Sequence, residues 1–274
     1  MTRLRRALAA TVPATLAAWV LVGCGAGVLP QVHSEPERFA TARRLSERGH
    51  YAEAIELLKT YVANNGGSAD VDAALYLLGE CYLRSKEFAS AALEFERLVR
   101  DYPESDSSGS ASFRLGEAFW GQSRGPDFDQ EYTLKALGQW QSYLRGYPGH
   151  WLNAQARGRV FTARTRLATK LVNTGNLYLK LRLIKPARVY FQLVVNEYAD
   201  TPRIADALLG TAMCDARQGR RAEAIEQLRK VEAQYPGQAA AVRAARERQR
   251  LERGRDQRVR SERAEDPGAR PERS

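Results

Sequence analysis

Residues 78–103 read LGECYLRSKEFASAALEFERLVRDYP. The apolar positions recur at helical spacing, so the stretch is two amphipathic helices closed by Pro103. Five positions set the pattern: Leu78-Gly79 and Tyr82 in the first helix, Ala91 and Phe95 in the second. The pattern repeats at a spacing of 37: Ala54 to Ala91, Ala42 to Gly79, Gly79 to Gly116 and Ala187 to Ala224. Small residues let two helices approach closely, and the large ones fill the groove beside them. One helix pair cannot bury its own face, so successive pairs must stack.

This unit resembles the tetratricopeptide repeat, which implies an all-α fold: a right-handed superhelical solenoid of about five helix-turn-helix repeats over residues 37–240. After the pattern of residues 78–103 come Leu115-Gly116, Phe119, Ala136, Trp140 and Pro148, with about eight extra residues between the helices. Then follow Thr174-Gly175, Tyr178, Ala187 and Phe191, and finally Ala212, Asp215, Ala224, Leu228 and Pro236. The first repeat keeps only Ala42, Ala54 and Leu58 and has no Pro. The period exceeds the usual 34, and the three extra residues are expected in the turns between repeats. Two irregularities stand out: the insert GQSRGPDFDQEYT (121–133), and the Pro-free stretch 149–182, which predicts a lengthened first helix in repeat four.

The two ends differ from this body. Of the 274 residues, 44% are hydrophobic and 27% charged, a globular composition. The net charge of +10 is concentrated at the ends: +3 in residues 1–23, +4 in residues 241–274, and +3 across everything between. A body so nearly balanced gives no support to a nucleic-acid face. Residues 1–23 read as an export signal, a basic start and then an apolar run from Ala7 to Val22, too short for a membrane span. The run ends in Leu21-Val22-Gly23-Cys24, which resembles a bacterial lipobox, so Cys24 is the expected lipidation site. Gly25, rather than Asp, after the Cys suggests sorting to the outer membrane, with lipid anchoring at its periplasmic face. Residues 24–36 then form a flexible tether. The helix formers after Pro236 predict an extension of the last helix, and the Arg-rich end of 241–274 reads as disordered, with attraction to acidic lipid as one use.

Residues that suggest chemistry have simpler explanations. Cys81 and Cys214 take the same slot in repeats two and five and read as small core residues. His33, His50 and His150 fall in the tether and turns, where solvated side chains are expected. Asp127 and Asp129 lie in the insert without a partner base. We therefore expect no catalytic residues, no metal and no cofactor. Phe39, Tyr76 and Phe113 form the one suggestive pattern, spaced 37 and 37, three residues before the small position. In tetratricopeptide proteins that position faces the concave groove. Repeats four and five carry Val172 and Leu209 there, while Glu80, Glu117 and Trp120 fall at groove positions further along. The aromatics either line a groove for an extended peptide or pack between helices.

A lipobox followed by five such repeats resembles the BamD family, lipoproteins of the bacterial β-barrel assembly machinery. The more specific matches are Arg145–Pro148 (RGYP), Asp129-Gln130 with Tyr132 and Lys135-Ala136, and Asn196–Pro202 (NEYADTP). The Arg-rich tail departs from the family pattern. The resemblance implies a non-enzymatic scaffold that helps assemble and insert outer-membrane β-barrel proteins. Its C-terminal repeats would hold the barrel-forming central subunit alongside other lipoproteins of the machinery. Its N-terminal repeats would receive unfolded outer-membrane protein precursors. A pilus-assembly pilotin or an adaptor for peptidoglycan hydrolases also pairs a lipobox with such repeats.

Overall fold

The computed structural model describes residues 30–265, with side chains as far as Gly254. Cys24, the signal segment before it, the start of the tether and residues 266–274 lie outside the described residues. Within them the chain folds into α1 (Glu35–Glu47), α2 (Tyr51–Asn64), α3 (Val71–Arg84), α4 (Phe88–Asp101), α5 (Ser108–Gln122) and α6 (Glu131–Gly146). It continues through α7 (Asn153–Lys180), α8 (Ile184–Glu197), α9 (Ile204–Arg217), α10 (Arg221–Gln234) and α11 (Ala239–Glu265). Consecutive helices pack on one another all along the chain, giving five antiparallel pairs and a closing helix, a tetratricopeptide-repeat solenoid.

The expected register is the one observed. A methyl group built on Gly79 would sit 2.6 Å from the Phe95 ring, and one on Gly175 would sit 2.7 Å from Phe191. Gly116 faces Trp140 in the same way. Phe191 is also wedged against Gly210 of α9, a close approach between repeats four and five, while Ala212, the small position of repeat five, is buried in one cluster with Leu228. Phe95, Trp140, Phe191 and Leu228, one per repeat, are completely buried.

The turns explain the long period. Turns within repeats are short, residues 48–50, 85–87, 181–183 and 218–220, whereas those between repeats span 65–70, 102–107, 147–152 and 198–203. The middle residue of each short turn has a positive φ: Gly49 (82°), Lys86 (63°), Arg182 (61°) and Gly219 (84°). Only two of these are glycine, so Lys86 and Arg182 give no hint of it in sequence.

Three expectations change. The tail does not extend the last helix: α10 stops at Gln234, Gly237 turns the chain at φ 79°, and α11 folds back with Ala240, Ala241 and Ala244 buried. The insert is shorter than 121–133, because α5 runs to Gln122 and α6 starts at Glu131. His150 is not a solvated turn residue: its Nδ1 lies 2.8 Å from the Tyr143 hydroxyl and accepts from Leu152 N, and burial lowers its pKa. The lengthened helix of repeat four is present, α7 having 28 residues where α3 has 14. Cys81 and Cys214 are buried free thiols, and burial pushes Cys214 up to about 11. Among the described residues no helix is long and apolar enough to cross a membrane.

Candidate peptide-binding groove

The first helix of each pair carries the expected groove positions, but their surroundings change along the solenoid. Phe39 of α1 is half-buried and stacks on Tyr61 of α2, centroids 5.2 Å apart. Tyr76 of α3 is half-buried, edge-on to Phe95 at 5.8 Å. Phe113 of α5 is completely buried, edge-on to Tyr143 at 5.7 Å. This removes Phe113 from any peptide-contacting set. Its core includes Trp140 and Tyr143 of α6, Leu152 of the following turn and Ala156 of α7. Val172 and Leu209 are buried as well.

Glu80 and Glu117 extend this face, and both are neutralised by the next repeat. Glu80 Oε1 lies 2.7 Å from Arg114 Nε, joining α3 to α5. Arg159 of α7 grips Glu117 with two nitrogens, Nε 2.8 Å from Oε1 and Nη2 donating to Oε2 at 2.8 Å. Burial raises the pKa of both carboxylates against the opposing pull of these arginines. The cations were missed in sequence, although a signal existed. Arg114 and Arg159 are 45 apart, the repeat period lengthened by the eight-residue insert, as are Ala91 and Ala136. Glu80, Arg114 and Glu117, with Leu83, Phe88 and Trp120, line a cleft of about 310 Å³ between repeats two and three.

Trp120 closes one end of that cleft. The Arg166 guanidinium lies 3.5 Å over its ring. Arg166 Nη1 also donates to Ser123 Oγ and Arg124 O, Lys170 Nζ to Phe128 O, and Asn173 Nδ2 to Asp127 Oδ1. One stripe of α7 thus pins the insert loop 123–130. Inside the loop, Gln130 donates to the carbonyls of Gly125 and Phe128 and accepts from Thr133.

The same clamping recurs after repeat four. Arg164 of α7 donates to Asp200 at 2.6 and 2.9 Å, to Glu197 O, and covers Tyr198. Tyr147 in the turn after α6 bonds Ser108, and its carbonyl accepts from Asn153. Two of the motifs that suggested a family, Arg145–Pro148 and Asn196–Pro202, are therefore parts of the inter-repeat joints.

The family model described as outer membrane lipoprotein, YfiO, matches residues 34–220, and a tetratricopeptide-repeat model matches 206–237. The chain belongs to this outer membrane lipoprotein family. A relative in Caulobacter vibrioides, described as outer membrane protein assembly factor BamD, is 22% identical over 205 residues, covering 73% of this chain and 67% of its own. Among solved structures, a thermophilic tetratricopeptide protein of Thermus thermophilus is 21% identical over 77% of this chain and 97% of that one, TM-score 0.36. One from Bacteroides fragilis is 14% identical, covers 82% and 98%, and has a TM-score of 0.42. The family match takes in the groove, the insert and the clamped joints; α11 lies beyond it.

Proposed function

We propose that this protein is an outer-membrane-anchored scaffold lipoprotein that helps assemble and insert β-barrel proteins into the bacterial outer membrane. The observation that carries this reading is family membership across residues 34–220, joined to the Leu21–Cys24 lipobox upstream. The Caulobacter relative's description as an assembly factor supports the same role. Signal cleavage frees the Cys24 amine, acylation of the residue supplies several buried chains at about 0.8 kcal/mol per CH₂, and the protein stays on the membrane. The repeats then serve as a binding surface rather than a reaction site. Repeats one and two, with Phe39, Tyr76 and the neighbouring cleft at Trp120, offer half-buried aromatic surface to extended precursor segments. Repeats four and five hold the barrel-forming subunit, with other lipoproteins of the machinery alongside.

Depletion and complementation test the reading. Loss of the protein should lower folded porins in isolated outer membranes. The parent gene should restore them, whereas Cys24→Ala should stay uncleaved, take up no palmitate and fail to restore. Unchanged porin levels on depletion would refute the assembly role.

A further inference from the structure

A cleft of about 780 Å³ lies away from the aromatic groove, where the end of α7 meets α9, α10 and α11. That volume falls in the range of ligand pockets, about 300–1,000 Å³. Its rim is cationic: Lys180, Arg182, Arg217, Arg221 and Arg250, against the single carboxylate of Glu247 among the described residues. Arg217 is partly committed, donating to the Leu179 carbonyl, and Arg250 lies 3.5 Å from Glu247. Arg221 is half-buried, and its Nε is a buried donor without a hydrogen-bond partner. Met213 and Leu251 contribute an apolar floor.

We propose that this cleft binds a carboxylate-rich, extended segment of a partner protein. Guanidinium groups match carboxylates in paired hydrogen bonds, and several cations converging on a concavity focus their field on an anionic ligand. The concavity favours a peptide over a lipid surface, because a flat bilayer engages cations that protrude, whereas these line the walls of a cleft. The apolar floor suits a chain that alternates acidic and aliphatic side chains. Helix α11 completes the site through Glu247, Arg250 and Leu251, and it lies outside the stretch matched by the family model. The inference stands independently of the assembly role.

The test uses the full mature protein and a fluorescein-labelled peptide of alternating Glu and Ala, titrated by anisotropy at low and physiological salt. The parent should bind, more weakly as salt rises. The triple variant Lys180→Gln, Arg182→Gly, Arg221→Gln should weaken binding by about tenfold or more, since three ion pairs are removed. Glycine at 182 tolerates the positive φ, so that substitution strips the charge without straining the turn. Arg182→Gly alone, expected to weaken binding about threefold, decides the matter if the triple variant loses its thermal transition. Lys59→Gln, on α2, should bind like the parent. Equal peptide affinity in parent and cleft variants would overturn the proposal. So would cleft-dependent binding to phosphatidylglycerol vesicles with no binding to the peptide, which would assign the cleft to lipid phosphate.

Discussion

Asp215 in repeat five and the Glu80–Glu117 pair in repeats two and three are all enclosed carboxylates facing arginines, yet their pKa values move in opposite directions. Asp215, with a side chain 4% exposed, accepts from Arg188, from Arg220 and from Gln227 Nε2 at 2.9 Å. Burial pushes its pKa up, but the hydrogen bonds from Arg220 and Arg188 win and hold it below the ordinary value. Glu80 and Glu117, 18% and 14% exposed, meet one arginine each, and there burial wins. The difference has two sources: Asp215 gathers more donors, and the groove carboxylates sit deeper among protein atoms, so the burial penalty weighs more heavily on them. In repeat five the charge is a structural pin. In the groove it is carried at a cost.

The largest expected effect follows at the pin. Asp215→Ala leaves two arginines and a glutamine facing a hole, and removing one partner of a buried network costs about 3–5 kcal/mol. Hydrogen exchange in α8–α10 should accelerate far more than in α3–α5. The sign in pH is fixed by the lowered pKa: Asp215 contributes fully above its unfolded value and loses that contribution as pH falls through the folded one. Uniform acceleration along the chain, or none, would show that Asp215 does not pin the last repeats.

The second effect tests the groove as a binding surface. Tyr76→Ala should weaken binding of a peptide with a C-terminal aromatic residue by about tenfold to somewhat over a hundredfold, since one buried ring is worth roughly 1.5–3 kcal/mol. Phe113→Ala serves as the contrast. With its ring wholly buried, it should cost about 3–5 kcal/mol of stability, and any loss of binding should track unfolding. Anisotropy titration alongside thermal melts separates the two. Undiminished affinity in Tyr76→Ala would make that residue core packing, like Phe113.

That pair also shows what the sequence made legible. The 37-residue spacing of Gly79, Ala91, Gly116 and their partners placed ten helices and the small-against-large contacts, because each contact lies inside one repeat or between neighbours. It could not separate Tyr76 from Phe113. Their repeat position is the same, and the difference lies in the side chains each ring meets, Phe95 for Tyr76 and Tyr143 for Phe113. Arg114 and Arg159 were hidden by the insert, which breaks the period between them. The basic cleft was out of reach because Lys180, Arg182, Arg221 and Arg250 converge only when α11 folds back, and the tail's helix formers suggested a straight continuation instead.

The smallest effect returns to the groove carboxylates. In Glu80→Gln/Glu117→Gln the side chains keep their shape and a carbonyl for Arg114 and Arg159, and lose only the charge. Net stability at neutral pH should change by less than about 1 kcal/mol, because the lost ion pairing is offset by the relieved cost of burying charge. The pH dependence is more diagnostic. Both folded pKa values lie above the ordinary 4.5, so the parent takes up protons on folding in the window just above that value. There the unfolded chain binds fewer protons than the native one, so stability gained from these groups rises as pH falls and is lost as pH climbs through the folded values. The double variant lacks that gain. Its stability relative to the parent, read from denaturant midpoints, should therefore decline between pH 7 and pH 5, opposite to the trend expected of the pin at Asp215. A difference flat in pH would show that Glu80 and Glu117 are solvated like surface carboxylates, and the contrast between groove and pin would collapse.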